Sequence, residues 1–326
     1  MKLKKEILLV YCIIMITSII FVHFGAQKIF RLDTFDSRVY YQLYQDIVSG
    51  NQSNRFFNIK SYEIGYNLFL KSISSLNLNY EGFVSLNLIL IVLWKVIILL
   101  LVVKKNKTRS KTVLIVGALL SYPLYSQDIW VWRNVFANLA VVSFLIFDKK
   151  ILKVFMLLVS IVMHYSVVPF FIFYFIFRYL KLDKVPIKIN FIIFILASLL
   201  IAPLLLRFSS LFSQGNLVSY INKDLGGSQF NYVVLCLLLI SLILFQADFL
   251  RRLDALQKAC FGYVLSVALV VVPFWEFGMI LFRANNLSYY LIMFVILSQI
   301  DRLRYKTLYG FGIYICSFIT IQRMLI

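Results

Sequence analysis

A chain of 326 residues that is 62% hydrophobic and 14% charged does not have the composition of a soluble globular protein, in which about a quarter of residues are charged. Its formal net charge of +19 sits in short connections between apolar runs, so it answers to membrane orientation and excludes a nucleic-acid surface. No shift in composition separates a soluble part from the rest, which predicts one polytopic membrane domain over residues 1–326.

A bilayer-crossing helix needs about 20 apolar residues. By that measure, membrane spans are predicted over residues 6–24, 82–103, 112–127, 134–147, 151–165, 167–180, 189–206, 231–247, 259–275, 286–300 and 307–322. The fold expected is an all-α helical bundle of about 10–11 transmembrane helices. Span 6–24 follows Met-Lys-Leu-Lys-Lys-Glu without a small-x-small cleavage site, which predicts an uncleaved first span. Lys2, Lys4 and Lys5 place the N-terminus in the cytoplasm. Alternation then puts the basic groups around Lys104–Lys111, Lys149–Lys153, Lys181–Lys188, Arg251–Lys258 and Arg302–Lys306 inside as well. Roughly two thirds of all Lys and Arg fall inside in this orientation. Cys12, Cys236, Cys260 and Cys316 all lie in apolar runs without metal-ligand spacing and read as small core residues.

Two outer loops are long, about 25–81 and 207–230. The first is rich in Tyr, Phe and Asp, unlike a disordered linker. Its stretch 62–76 has helical period, with Ile64, Leu68, Phe69, Ile73 and Leu76 near one side, which predicts an amphipathic helix at the outer interface.

Five constellations on the outer side could carry chemistry. Asp33 and Asp36, flanked by Tyr40, Tyr41 and Tyr44, could accept sugar hydroxyl protons while the aromatic rings stack on the sugar; the plainer reading is a solvated loop. Glu63-Ile-Gly65-Tyr66 opens the amphipathic stretch, where Glu63 serves either the helix terminus or catalysis and Gly65 permits close approach. Trp132 fits an interfacial aromatic belt, and Arg133 opens a span whose polar face continues through Asn134 and Asn138. A charge there usually faces a cavity or a partner, and its guanidinium suits phosphate oxygens. His164, in Val-Met-His-Tyr-Ser, can act as a base near neutral pH or be structural. Arg283, Asn286 and Tyr290 have helical spacing and could make a polar stripe facing a cavity; the plainer reading is interfacial anchoring by Arg and Tyr. No phosphate loop, dinucleotide fingerprint, nucleophile elbow or Cys-His metal pattern is present, so neither metal nor cofactor is expected.

Taken in order, Asp33–Tyr44 with Glu63-Ile-Gly65-Tyr66, Trp132-Arg133 with Ala137, Met163-His164-Tyr165-Ser166, and Phe282-Arg283 with Tyr289-Tyr290 resemble the EpsG family of Wzy-type polysaccharide polymerases. Met163, Asn134 and Tyr290 stand where Phe, Gln and Phe are common in that family. The resemblance implies a glycosyltransferase that polymerises repeat units of O-antigen, capsule or exopolysaccharide. Its substrates would be oligosaccharides linked to undecaprenyl pyrophosphate at the outer face of the bacterial cytoplasmic membrane, on the periplasmic or extracellular side. A flippase and a chain-length regulator would be its partners. Under that reading His164, Arg133 and Glu63 are the catalytic candidates, with Asp33 and Asp36 competing with His164 as proton acceptor. Asp33, Asp36, Tyr40, Tyr66, Asn134, Arg283, Asn286 and Tyr290 bind substrate. The alternatives are a lipid-linked oligosaccharide flippase or transporter, and another membrane glycosyl- or O-acyltransferase.

Overall fold

A computed structural model describes residues 35–50, 64–106, 131–186, 228–272 and 278–299, with short helical pieces between 16 and 30 and between 189 and 196. Every regular element among the described residues is helical. The predicted spans 112–127 and 307–322, the loop 207–227, Cys12, Cys316, Asp33 and Glu63 lie outside the described residues.

The chain divides into two compact units, Met1–Val167 with Thr307–Ile326, and Val168–Lys306. The first unit contains α1 (Phe35–Val48), α2 (Ile64–Ile73), α3 (Tyr80–Asn106), α4 (Trp132–Ile146) and α5 (Lys150–Met163). The second contains α6 (Val168–Tyr179), α7 (Ser228–Phe245), α8 (Ala247–Arg251), α9 (Ala255–Val271) and α10 (Gly278–Gln299).

Apolar run length governs where these helices form. Residues Tyr80–Val102 of α3 make a segment of 23 residues that is long and apolar enough to cross a membrane, one such segment among the described residues. At 1.5 Å per residue it measures about 35 Å, against a hydrocarbon core of about 30 Å. α4 to α7, α9 and α10 fall within a few residues of predicted spans, save that α10 begins eight residues before its predicted span.

In the first unit, α4 and α5 form an antiparallel pair. α3 runs alongside α4, with Phe83 against Trp132 at 5.7 Å and Trp94 Nε1 donating to Ser143 Oγ at 3.0 Å. These contacts make α3 and α4 parallel. One end of the unit therefore collects the starts of α3 and α4 and the end of α5. The other end carries Lys149, Lys150 and Lys153. α4 is buried almost all round, whereas α5 exposes Ile151, Val154, Phe155, Leu158 and Val162. An exposed apolar exterior over a buried polar interior inverts the pattern of a soluble protein and is compatible with a membrane helical bundle.

Sequence reading treats Phe35–Val48 as loop, whereas it is a 14-residue helix. Its Tyr44 is fully buried, stacks on Phe83 at 5.1 Å, accepts from the Leu78 N–H (2.8 Å) and donates to the Ile73 carbonyl (3.4 Å). Tyr44 thus closes the connection between α2 and α3 and has no ring face left for a sugar. In α2 Ile64, Leu68, Lys71 and Ser72 are exposed, while Gly65, Tyr66, Asn67 and Leu70 pack inward. The predicted apolar stripe is therefore split: Ile64 and Leu68 face outward, whereas Phe69 lies against Tyr66 and Phe136.

In the second unit α10 packs against both α7 and α9. Asp254 caps α9: its carboxylate accepts from the Gln257 N–H (2.8 Å) and the Asp254 N–H donates to Gln257 Oε1 (3.1 Å). Gln257 also donates to Ser298 Oγ and accepts from Gln299 Nε2, both at 2.9 Å, which ties the start of α9 to the end of α10. Asp254→Ala is expected to cost about 1 kcal/mol, read as a lowered Tm. At the same end lie Lys184, Arg251, Arg252 and Lys258, whose ammonium donates to the Asp183 carbonyl at 2.9 Å. Basic residues thus gather at one end of each unit.

Candidate functional site

At the non-basic end of the first unit, three separate stretches of sequence meet around the ring of Tyr40. Arg133 Nε donates to the Tyr40 hydroxyl at 3.2 Å, and its guanidinium carbon lies 5.4 Å from the Tyr40 ring centre. The Tyr66 ring is 5.1 Å from that of Tyr40, and the Trp132 ring is 5.7 Å away. Position in the fold explains the convergence. α1 presents Tyr40 inward, α2 presents Tyr66, and Trp132 and Arg133 form the first turn of α4. The aromatic wall restricts Arg133 on one side, and the Tyr40 hydroxyl fixes the direction of its fork.

Burial pushes the Tyr66 phenol well above its usual range; the neighbouring Tyr40 adds to the rise, and Arg133 opposes it by a smaller amount. Tyr66 therefore stays a protonated hydroxyl at any physiological pH. Its oxygen has no hydrogen-bond partner among the described residues, and neither have Trp132 Nε1, Asn67 Oδ1 and Asn138 Nδ2. Each such buried polar atom carries a desolvation cost of about 1–3 kcal/mol. Trp132 is fully buried, so it is not the belt residue expected from sequence. Its contacts with Tyr40 and Phe83 hold it inside. Asn134 and Asn138 are likewise buried on α4.

His164 ends α5. Its backbone is extended, its N–H donates to the Ser160 carbonyl at 3.1 Å, and its side chain is 3% exposed. The ring stands edge-on to Tyr165 at 5.1 Å. The short turn Tyr165–Val167 that follows packs on α4, the helix that carries Arg133. Gly65 brings α2 to the same place. A Cβ on Gly65 would lie 2.8 Å from both the carbonyl carbon and oxygen of Val162 and 2.9 Å from its Cγ1. The close approach that the glycine allows is thus made to α5, two residues before His164.

The sequence stretches containing Tyr40, Gly65-Tyr66, Trp132-Arg133 and His164 accordingly belong to one end of one unit. Asp36 lies on α1. Arg283, Asn286 and Tyr290 belong to α10 in the second unit, where Asn286 and Tyr290 are buried. Asn67 and Asn285 are also buried with unpaired amide atoms; Asn67 lies within the amphipathic stretch and Asn285 beside Asn286, and nothing in the sequence marks either as unpartnered. No group of three or more His, Cys, Asp or Glu placed to hold a metal occurs among the described residues. Chemically, a guanidinium beside hydroxyl, indole and amide donors favours a ligand with many acceptor oxygens.

No curated protein and no solved structure matches this chain. The EpsG family profile matches residues 8–326. With nearly its whole length so matched, the chain belongs to the EpsG family, which is associated with polysaccharide biosynthesis.

Proposed function

We propose that this protein is a polysaccharide polymerase of the cytoplasmic membrane. It joins oligosaccharide repeat units carried on undecaprenyl pyrophosphate, with its N-terminus in the cytoplasm and its site on the outer face. The observation that carries the reading is the Arg133 cluster, a cation held among unsatisfied donors at the end of the unit opposite its basic residues. The exposed apolar residues of α5 support a position within lipid.

In the reaction, an acceptor hydroxyl oxygen attacks the anomeric carbon of the donor glycan as the bond from that carbon to the pyrophosphate oxygen breaks. The bonding electrons leave with the pyrophosphate, whose growing charge Arg133 stabilises. The hydroxyl proton passes to His164, with Glu63, Asp33 and Asp36 as competing acceptors. Tyr40, Tyr66, Asn134, Arg283, Asn286 and Tyr290 bind substrate. A flippase supplies the lipid-linked units, and a chain-length regulator acts alongside.

One observation favours a second reading, a lipid-linked oligosaccharide transporter: Lys95 is buried (5% exposed) in the middle of α3, where transport sites hold charge. Substitution of His164 separates the two. With the variant protein at normal membrane levels in its native host, His164→Ala is expected to lower polymer by about 100-fold or more, leaving single repeat units on the usual surface acceptor. An intact ladder overturns the role of His164. Complete loss of surface glycan favours the transporter.

A further inference from the structure

α10 is buried on every side from Asn285 to Ile296. Asn285 and Asn286 are each only 3% exposed, and neither the Oδ1 nor the Nδ2 of either residue has a hydrogen-bond partner among the described residues. Asn87 and Asn190, also buried, leave only Oδ1 unpaired. Asn87 donates its amide to the Phe83 carbonyl at 2.9 Å, and Asn190 donates to the carbonyls of Leu182 at 2.7 Å and Val185 at 3.3 Å. Those two serve the backbone, while the pair on α10 serves nothing described.

We propose that Asn285 and Asn286 form a binding subsite for the hydroxyl groups of a sugar. The reasoning turns on what each ligand class would leave unpaired. An amide side chain offers donors and acceptors together and has no charge. A phosphate brings only acceptors and would leave both Oδ1 atoms unmet, and a cation would leave both Nδ2 groups unmet. A polyhydroxyl ring supplies both kinds of partner. Tyr289 and Tyr290, one turn further along α10 and buried, bring aromatic faces to the same stretch. This subsite takes the glycan portion of the substrate. The inference thus rests on the proposed glycan substrate and adds Asn285 and a ligand class to it.

The test uses the full-length protein in phospholipid nanodiscs with two probes. One is the host's repeat-unit oligosaccharide freed of lipid and pyrophosphate; the other is undecaprenyl pyrophosphate without sugar. The double variant N285L/N286L is expected to lose at least about tenfold in affinity for the oligosaccharide while binding the sugar-free lipid within about twofold of wild type. Without ligand its Tm is expected to equal or exceed that of wild type, because leucine removes buried unpaired amides at similar volume. Unchanged oligosaccharide affinity overturns the subsite. A lower Tm or failure to accumulate also overturns it, because the pair would then serve packing. If wild type binds the sugar-free lipid and not the oligosaccharide, this inference falls alone. If it binds neither probe, the polymerase reading falls with it.

Discussion

Replacing Arg133 with alanine is expected to reduce polymer formation by about 100- to 1,000-fold, the usual cost of removing a preorganised group that stabilises developing charge. The effect arises because the guanidinium is positioned before substrate arrives, with Nε committed to the Tyr40 hydroxyl at 3.2 Å. The planar guanidinium fork matches phosphate oxygens in a way that a lysine ammonium does not. Arg133→Lys keeps the charge and loses the fork, so it should recover only part of the activity. Tyr40→Phe keeps the aromatic wall and removes the acceptor, which should cost less than Arg133→Ala. The three variants, scored by turnover of lipid-linked repeat units on the purified protein, give an order: Ala lowest, Lys intermediate, Phe nearest wild type. Equal activity of Arg133→Ala and wild type would remove Arg133 from the site.

Gly65→Ala carries the second large effect, and it acts through structure. The added Cβ would meet Val162 main-chain atoms at 2.8 Å, and backbone cannot rotate aside as a side-chain end can. Overpacking of this kind costs about 1–3 kcal/mol. Since α2 carries Tyr66, moving α2 off α5 also moves Tyr66 from Tyr40. Lower Tm and lower turnover should therefore appear together. Val162→Ala in the same chain relieves the contact with Cγ1 and leaves those with the carbonyl, so it should not rescue Gly65→Ala. Full rescue would show that the side chain, and not the backbone approach, sets the packing.

These two predictions differ in how much of their basis is legible in sequence. An Arg entering an apolar run announces itself, because a charge there is costly and needs a reason. That it faces the Tyr40 ring, contributed by a segment 93 residues away in sequence, depends on packing. Gly65 is visible as a glycine that could allow close approach, while its partner, the backbone of Val162, is not. Trp132 and Tyr44 misled in the same way. A Trp or Tyr near the end of an apolar run reads as an interfacial or sugar-stacking residue, yet both are fully buried here. Asn285 is visible in sequence as a polar neighbour of Arg283 and Asn286, while its burial without partners depends on what α7 and α9 place around α10.

The amino-acid sequence by itself determined the helical class, the approximate positions of the apolar helices and the segregation of basic residues, because each depends on run length and local charge, which are properties of neighbours along the chain. Tertiary structure alone decided that Tyr40, Tyr66, Trp132 and Arg133 meet, that α2 docks two residues before His164, and that two asparagines on α10 are buried without partners. Those outcomes depend on which surfaces helices distant in sequence present to one another, and helical periodicity specifies a face without specifying what covers it.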